Sequence, residues 1–361
     1  MLVTSEFPPG PGGIGNHAYN LASGLAKRNY FVNVISIVRD SEAESEFDQA
    51  QPFLIERIPS GKIFQKASLI VKSINNLSKD TTLTVVASGL AMLVICGTYS
   101  ILSRNSRIKF VLIAHGMDIN TTSFVYRKLV SFAIRGFNRI IAVSSYTASK
   151  IKGIKQSKIQ VINNGFDPEK LQKSDNVKVE NRLGYPSLIT VGSVTYRKGQ
   201  INVINALPIL LEAYPSIHYH MIGIEKDKSA LISLAKKLKV ESAITFHGAL
   251  PDAQLQQQLL QSDIFLMLSN HTLEGEFEGF GIAVLEANHL GVPAIGSRES
   301  GLRDAIKDGY SGFLIEPKNV EELKAAITHI LADLEGFKSR ARERALNFKW
   351  DKVIEQYVAV L

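Results

Sequence analysis

Two carboxylates, Glu278 and Glu286, stand eight residues apart in the run EGFGIAVLE, inside the longer stretch Glu274–Gly291. Gly275, Gly279 and Gly281 are interspersed with the acids, so the stretch predicts a glycine-rich loop running into a short helix. That helix opens near Gly281 or Ile282, carries Glu286 and stops near Gly291, with Pro293 blocking extension. Backbone N–H groups at a helix start make an anion site suited to a phosphate, and carboxylates accept hydrogen bonds from hydroxyls. On one continuous helix the two glutamates would lie roughly 80° apart. With Glu278 in the loop and Glu286 on the helix, both face a ligand lying over the helix start. Hydroxyls at both ends of a diphosphate describe a nucleoside-diphosphate sugar. Glu274 and Glu276 read as loop charge.

Other residues suit the same ligand. Arg197, Lys198 and Gly199 form RKG between a strand and a helix, where two adjacent cations neutralise a diphosphate leaving group as its charge builds. The plain alternative is a solvated basic turn. GPGGIG at Gly10–Gly15 also lies between a strand and a helix, the position at which α/β proteins bind phosphates. Its spacing is not that of a dinucleotide fingerprint, and a purely structural turn is the alternative. His115 follows the C-terminal end of a strand, the functional edge of a parallel sheet, or is a core histidine. Asn16 suits the N-cap of the helix after GPGGIG, and His17 either touches an acceptor or is a solvated histidine at a helix start. Asn164 and Gly165 shape a turn. The eight histidines show no metal-binding spacing and no Asp-x-Asp pair marks a divalent-metal nucleotide site, so neither a metal nor a cofactor is expected.

The Glu-x7-Glu run continues into EANHLGVPAIGS and DGYSGFLIEP, and upstream stand VTSEFPPGPGGIG, AHGMD, NNGFD and VGSVTYRKG. In that order, over nearly the whole chain, these motifs resemble the retaining glycosyltransferases of family 4, which have the GT-B fold. The resemblance implies two Rossmann-like doubly wound domains with the active site in the cleft between them. It implies transfer of a sugar from a UDP- or GDP-sugar to a hydroxyl, without a metal and with the leaving phosphate helping to deprotonate the acceptor. It also implies residue roles. The backbone at Gly13 and Gly15 approaches the donor phosphate and sugar, and His115 contacts the donor sugar. Gly192, Arg197, Lys198, Gly279, Phe280, Gly281 and Ile282 surround the donor. HGAL, with Gly248 and Leu250, lies near the base. Glu286 takes the ribose hydroxyls, and Glu278 the sugar hydroxyls and the positively charged transition state. Many members carry Arg directly after the glycine matching Gly192; here Ser193 stands there, with Arg197 as the candidate replacement.

The elements that must position these residues alternate βα along the chain, as in parallel sheets with helices on both faces. Strands are expected at 1–4, Phe31–Val38, Phe53–Ile58, Leu83–Ala87, Phe110–Ala114, Arg139–Val143 and Ile159–Ile162, with an acidic loop from Asp40 to Asp48. Helices are expected after GPGGIG and at Ile63–Leu77, Leu90–Leu102, Thr122–Phe137 and Ser145–Ile151. The polar stretch 169–185 reads as a linker. The pattern then restarts from Leu188–Val191 and runs to helices at Glu321–Leu334, Phe337–Phe348 and Trp350–Val360. The expected domains are 1–168, binding the acceptor, and 169–348, binding the donor, with helix 349–361 packing back on the first.

The 361 residues suffice for two domains, and 45% hydrophobic with 21% charged residues suits a globular protein. The single cysteine, Cys96, excludes an internal disulfide and fits a reducing, cytoplasmic compartment. No signal peptide is apparent. Leu83–Leu102 is the one stretch near the length of a membrane span, but it reads as a strand, Gly89 and a buried helix. Residues 1–168 hold 19 Lys and Arg against 10 Asp and Glu, the remainder 22 against 24. A basic first half points to an anionic partner. Lys62–Lys79, Lys150–Lys158 and Thr122–Phe137, where Phe124, Phe132 and Leu129 alternate with Arg127, Lys128 and Arg135, offer a surface to anionic lipid. Taken alone, Thr122–Phe137 reads as an ordinary amphipathic core helix. No nucleic-acid motif is present. The expected acceptor is a lipid-linked or polysaccharide intermediate of cell-envelope glycan synthesis, with small molecules open. Rival readings are a nucleotide-sugar 2-epimerase of the same fold, a catalytically silent sugar-nucleotide sensor and, more distantly, a dehydrogenase.

Overall fold

The computed structural model describes residues 1–10, 12–79, 81–103, 105–116, 118–120, 123–171 and 182–361. Parts of GPGGIG (Pro11), AHGMD (Met117), the helix start at Thr122 and most of the 169–185 linker lie outside the described residues. The chain divides into two compact units: Met1–Gly165 with Leu273–Gly275 and Trp350–Leu361, and Phe166–Thr272 with Glu276–Lys349.

The first unit is built on strands β1 (Leu2–Thr4), β2 (Asn33–Ile37), β3 (Leu54–Ile58), β4 (Leu83–Ser88), β5 (Ile108–Ala114), β6 (Arg139–Ala142) and β7 (Ile159–Val161). They form one parallel sheet in the order β3-β2-β1-β4-β5-β6-β7. Val3 lies beside both Ile35 and Ala87, so chain direction across the sheet reverses at β1 and β4. Helices α1 (Gly13–Ala26), α2 (Ser41–Gln49), α3 (Ile63–Leu77), α4 (Leu90–Ser103), α5 (Phe124–Ala133) and α6 (Ser145–Lys150) connect the strands. Strands covered on both faces read as unbroken apolar runs; in β5 (IKFVLIA) every residue but Lys109 is buried. Ile70 and Ile74 of α3, Leu93 and Cys96 of α4, and Val130 and Ala133 of α5 share one core over that face.

The second unit repeats the plan. Strands β8 (Ser187–Val191), β9 (His218–Ile222), β10 (Ile244–Phe246), β11 (Ile264–Met267), β12 (Ala294–Ser297) and β13 (Gly312–Ile315) form a parallel sheet in the order β10-β9-β8-β11-β12-β13. Here the reversal lies at β8 and β11, where Leu188 pairs with both Tyr219 and Ile264. Its helices are α7 (Gln200–Ala213), α8 (Lys228–Leu238), α9 (Asp252–Leu260), α10 (Ile282–His289), α11 (Leu302–Ala305), α12 (Val320–Ala332) and α13 (Leu334–Ala345). The last helix, α14 (Trp350–Val358), packs on α1 in the first unit.

Two doubly wound parallel sheets are the architecture the alternating pattern predicts. The departures have local causes. Asp40–Asp48 is a helix rather than a loop: Glu42 and Glu44 sit in its first turn, where acids suit the helix dipole. Arg57 on β3 then pairs with Glu44 at 3.0 Å and Asp48 at 2.7 Å. Asn16 is not the cap of α1. The helix begins three residues earlier, and the Asn16 side-chain oxygen accepts the Asn20 amide. β13 and α11, inside the motif DGYSGFLIEP and just before it, escape a reading by periodicity because each is four residues long. The stretch Thr122–Phe137 meets the core at Val130, Ala133, Ile134 and Phe137, but α5 itself does so narrowly: of its ten residues only Val130 and Ala133 are buried. The run Leu83–Leu102 is β4 and α4, broken at Gly89 (φ 96°). Among the described residues no helix is long and apolar enough to cross a membrane.

Candidate active site

Ligands of doubly wound sheets bind beyond the carboxyl ends of the strands, where strand order reverses. In the second unit that place holds the loops after β8 and β11. After β8 the chain passes Gly192 (φ 143°) and makes a 3₁₀ turn, Tyr196–Lys198, closed by Gly199 in a left-handed conformation before α7. A Cβ on Gly199 would run into the Leu268 carbonyl, and one on Gly192 would press on the Lys198 stem at 3.3 Å. Glycines at both positions therefore let the basic turn lie down on β11 and let Lys198 cross the strand end.

A buried asparagine pair fixes the turn. Asn202 donates to the Leu268 carbonyl at 2.7 Å and to the Asn270 side-chain oxygen at 2.9 Å. Asn270 in turn donates its side-chain amide to the Tyr196 carbonyl at 2.8 Å and its backbone N–H to the Arg197 carbonyl at 2.9 Å. Gln200 holds the Ser193 carbonyl at 3.2 Å. None of these three polar side chains is marked by spacing. Their one signal is position, immediately after β11 and at the start of α7.

Glu278 closes the arrangement. Its Oε2 accepts from Arg197 Nη1 and from Lys198 Nζ, both at 2.8 Å, while Oε1 has no partner among the described residues. Glu276 lies 3.9 Å from Arg197 Nε, so it is more than loop charge. Burial alone would raise the Glu278 carboxyl; Lys198 and Arg197 outweigh it and hold the group below the usual carboxylate range. The expected site residues Arg197, Lys198 and Glu278 therefore form one ionised cluster, beside Gly192.

The loop then turns into α10. The Glu278 carbonyl accepts from Gly301 at 2.8 Å, and Gly281 (φ 91°) is the N-cap residue, with no side chain capping the helix. Phe280 is buried with its ring against Phe348, so only its backbone belongs to the helix mouth. Ile282 is the first helical residue and Gly279 leads into the cap. Glu286, one turn further, is half-buried and makes no hydrogen bond among the described residues. Burial raises its carboxyl above the ordinary value; Lys170 opposes this and Asp252 adds to it. Leu250 lies half-exposed beyond β10, after Gly248, whose carbonyl accepts from Gly223 at 2.8 Å. At this edge the structure gathers Arg197, Lys198 and Glu278 directly and sets Leu250 and Glu286 on neighbouring elements.

In the first unit the reversal point holds the α1 start and His115. Gly12 (φ 154°) enters α1, again without a side-chain cap. A Cβ on Gly13 would meet nothing within 4 Å, whereas one on Gly15 would press on the Glu6–Phe7 backbone at 3.3 Å. Gly13 thus faces open space and Gly15 is a packing glycine. His115 follows β5, its Nε2 2.8 Å from Ser88 Oγ at the end of β4. Burial pushes its imidazole down to about 4, so it is neutral at neutral pH. Asp118 accepts from the His115 N–H at 3.0 Å and the Gly116 N–H at 2.9 Å, fixing the turn; its carboxyl is pushed up by burial to about 6. Neither solvated nor open to an acceptor, His17 is buried under His115, Trp350 and Tyr357, with its Nε2 2.8 Å from the Tyr357 hydroxyl. Among the described residues no three His, Cys, Asp or Glu side chains cluster as a metal site would require.

Comparison with known proteins agrees with this architecture. Residues 172–347 match the family model of glycosyl transferases group 1, and residues 11–170 that of glycosyltransferase family 4. The chain belongs to these GT-B glycosyltransferases, and it is a glycosyltransferase of the group 1 type acting in glycan biosynthesis. A GDP-mannose-dependent α-(1-6)-phosphatidylinositol monomannoside mannosyltransferase of Mycolicibacterium smegmatis is 22% identical, over 92% of this chain and 89% of its own. A glycogen synthase of Mycobacterium tuberculosis is 24% identical, over 98% of this chain and 92% of its own. Among solved structures, Anabaena HepE in complex with UDP and glucose superposes with a TM-score of 0.77 at 22% identity, covering 99% of this chain and 98% of that one.

Proposed function

We propose that the chain moves a glycosyl unit from a UDP- or GDP-sugar to a hydroxyl of a lipid-linked or polysaccharide acceptor, with retention at the anomeric carbon. The observation that carries this reading is the shared carboxylate: Glu278 holds Arg197 and Lys198 together beside the uncapped mouth of α10. Arg197 keeps most of its five N–H donors, and Lys198 two of its three, for a diphosphate. Oε1 of Glu278 accepts a sugar hydroxyl, and Glu286, which has no hydrogen-bond partner among the described residues, accepts the ribose hydroxyls. The relatives support the donor class, one being GDP-mannose-dependent and another having been solved with UDP and glucose.

In the reaction the bond from the anomeric carbon to the phosphate oxygen breaks and one to the acceptor oxygen forms on the same face. The acceptor proton passes to the departing phosphate. Arg197, Lys198 and the α10 N–H groups stabilise the charge that builds on the leaving group, worth about 10²–10³ in rate for a single such donor. Glu278, held ionised, lies on the side of the developing oxocarbenium. In the first unit the neutral His115 and the open face at Gly13 stand at that sheet's own reversal point, where a hydroxylated ligand finds a hydrogen-bonding group.

The test is incubation with UDP- and GDP-sugars, with and without polyprenyl-phosphate-linked and oligosaccharide acceptors, in chelator and in Mg²⁺, with products read by NMR. An acceptor-dependent product with the donor's anomeric configuration, unchanged by chelator, is expected. An epimerised sugar formed without acceptor would identify an isomerase, and nucleotide-sugar binding with no turnover a sensor; either overturns the proposal.

A further inference from the structure

Helix α5 of the first unit is hardly covered by the core, and its uncovered residues have a distinctive chemistry. Phe124, Val125 and Tyr126 are 59, 64 and 52% exposed, and Leu129 and Phe132 are 43 and 46% exposed. A single exposed apolar side chain needs no explanation; five on a ten-residue helix form the kind of patch that marks an interaction site. Basic residues are woven through it. Phe124, Arg127, Lys128, Ser131, Phe132 and Arg135 fall at helical spacing and line an open depression of about 440 Å³. Lys128 Nζ lies 4.4 Å from the centre of the Phe124 ring. No carboxylate among the described residues pairs with Arg127, Lys128 or Arg135. Between Asp80 and Asp167 the chain carries eleven Lys and Arg, and its one acid there, Asp118, is buried. On the same face of the sheet, across α4, the start of α3 exposes Phe64 (83%) and Ile63 (44%) beside Lys62.

We propose that the α5 face docks on an anionic phospholipid bilayer. Aromatic rings set among unpaired cations match the bilayer interface, where acyl chains take the apolar side chains and lipid phosphates take the guanidinium and ammonium groups. The inference deepens the reading of a lipid-linked acceptor, because docking would bring the first unit to the surface where such an acceptor resides. Binding to vesicles needs neither donor nor turnover, so it is decided separately from that reading.

The experiment is co-sedimentation of the full chain with mixed phosphatidylglycerol–phosphatidylcholine vesicles and with pure phosphatidylcholine vesicles, at low and high salt. The variants are Arg127→Gln/Lys128→Gln/Arg135→Gln, Phe124→Ser/Phe132→Ser, and Lys152→Gln/Lys155→Gln as a control from the same basic stretch. Binding to the anionic vesicles, weakened by salt, is expected. Each cation near an anionic surface adds about fivefold to partitioning, so the triple variant should lose roughly a hundredfold while melting at the wild-type temperature. The aromatic pair should lose binding at every salt concentration, and the control should lose less than the triple variant. Wild-type binding by the triple variant, or an equal loss in the control, would overturn the proposal. So would a concentration-dependent dimer that Phe124→Ser/Phe132→Ser abolishes, which would make the face a contact between copies.

Discussion

Lys198 Nζ and Glu278 Oε2 lie 2.8 Å apart across 80 residues of chain, with the same oxygen accepting from Arg197. One carboxylate therefore restrains two cations that the proposed reaction needs for phosphate. The side chains are only 10–22% exposed, so the cluster is partly screened from water and its charges matter. Glu278→Gln keeps the shape and removes the charge. Without nucleotide the two cations face each other with only Glu276, 3.9 Å from Arg197, left as a counter-charge, and stability should fall by about 1–3 kcal/mol, the usual cost of losing a hydrogen bond to a charged group. A bound diphosphate restores the compensation, so added UDP or GDP should raise the melting temperature of the variant more than that of the wild type. Transfer should fall by about 10²-fold or more, since the variant no longer presents an anion to the sugar. Thermal denaturation with and without nucleotide, alongside the rate, checks all three.

Glu286 behaves oppositely. It is half-buried without a hydrogen-bond partner among the described residues, and burial raises its carboxyl above the ordinary 4.5. For an acid raised on folding, the folded state binds the proton more tightly than the unfolded chain. Its contribution is present below 4.5 and is lost as pH rises through the folded value. Glu286→Gln should therefore lack that loss: at neutral pH the variant should be as stable as the wild type or more so, while its stabilisation by nucleotide falls. Chemical denaturation of both proteins at pH 4 and pH 7 separates this from a general effect of acid.

The chemistry of the site is readable in one dimension where the residues are neighbours. RKG, HGAL and Glu-x7-Glu each announce a strand end meeting a helix, and the second unit's single parallel sheet brings those ends to one edge. Contacts between distant segments are different. Nothing in the spacing says that Glu278 neutralises Arg197 and Lys198, or that Asn202 and Asn270 hold the basic turn, because each contact joins residues from separate strand ends. Amphipathic pattern also has a blind side. Thr122–Phe137 shows apolar residues at helical spacing, but the pattern does not state which of them a neighbour covers, and α5 leaves most of its own uncovered. The acidic run 40–48 fails for a related reason: its charges read as solvated until Arg57 is placed beneath them.

His115 should stay neutral across the physiological range. Burial drives its imidazole to about 4, from an ordinary 6.5. For a base lowered on folding, the stabilising contribution is present above the unfolded value and is lost as pH falls through the folded one, here between 6.5 and about 4. The His115 ring signals in a ¹H–¹³C spectrum should not titrate until about pH 4, and His115→Asn should flatten the acid limb of stability. Ser88→Ala removes the hydroxyl 2.8 Å from Nε2 and should slow transfer while leaving nucleotide binding intact. A titration near 6.5 would contradict the buried, neutral imidazole.

Gly13 and Gly15 separate a ligand effect from a folding effect within one turn. Gly13 opens α1 toward empty space, so Gly13→Ala has nothing to strike and should gain slightly in helix propensity, leaving the melting temperature unchanged or a little higher. If the donor's phosphate approaches that backbone, the added methyl group should raise KM for the donor or lower the rate by an order of magnitude or more. Gly15 lies 3.3 Å from the Glu6–Phe7 backbone where a Cβ would stand. Gly15→Ala must push β1's exit loop away from the helix, and overpacking of this kind costs about 1–3 kcal/mol. The expected pattern is a kinetic defect without a stability defect at Gly13 and both defects at Gly15. A Gly13→Ala enzyme with unaltered kinetics would remove the α1 mouth from the donor site and leave phosphate recognition to Arg197, Lys198 and α10.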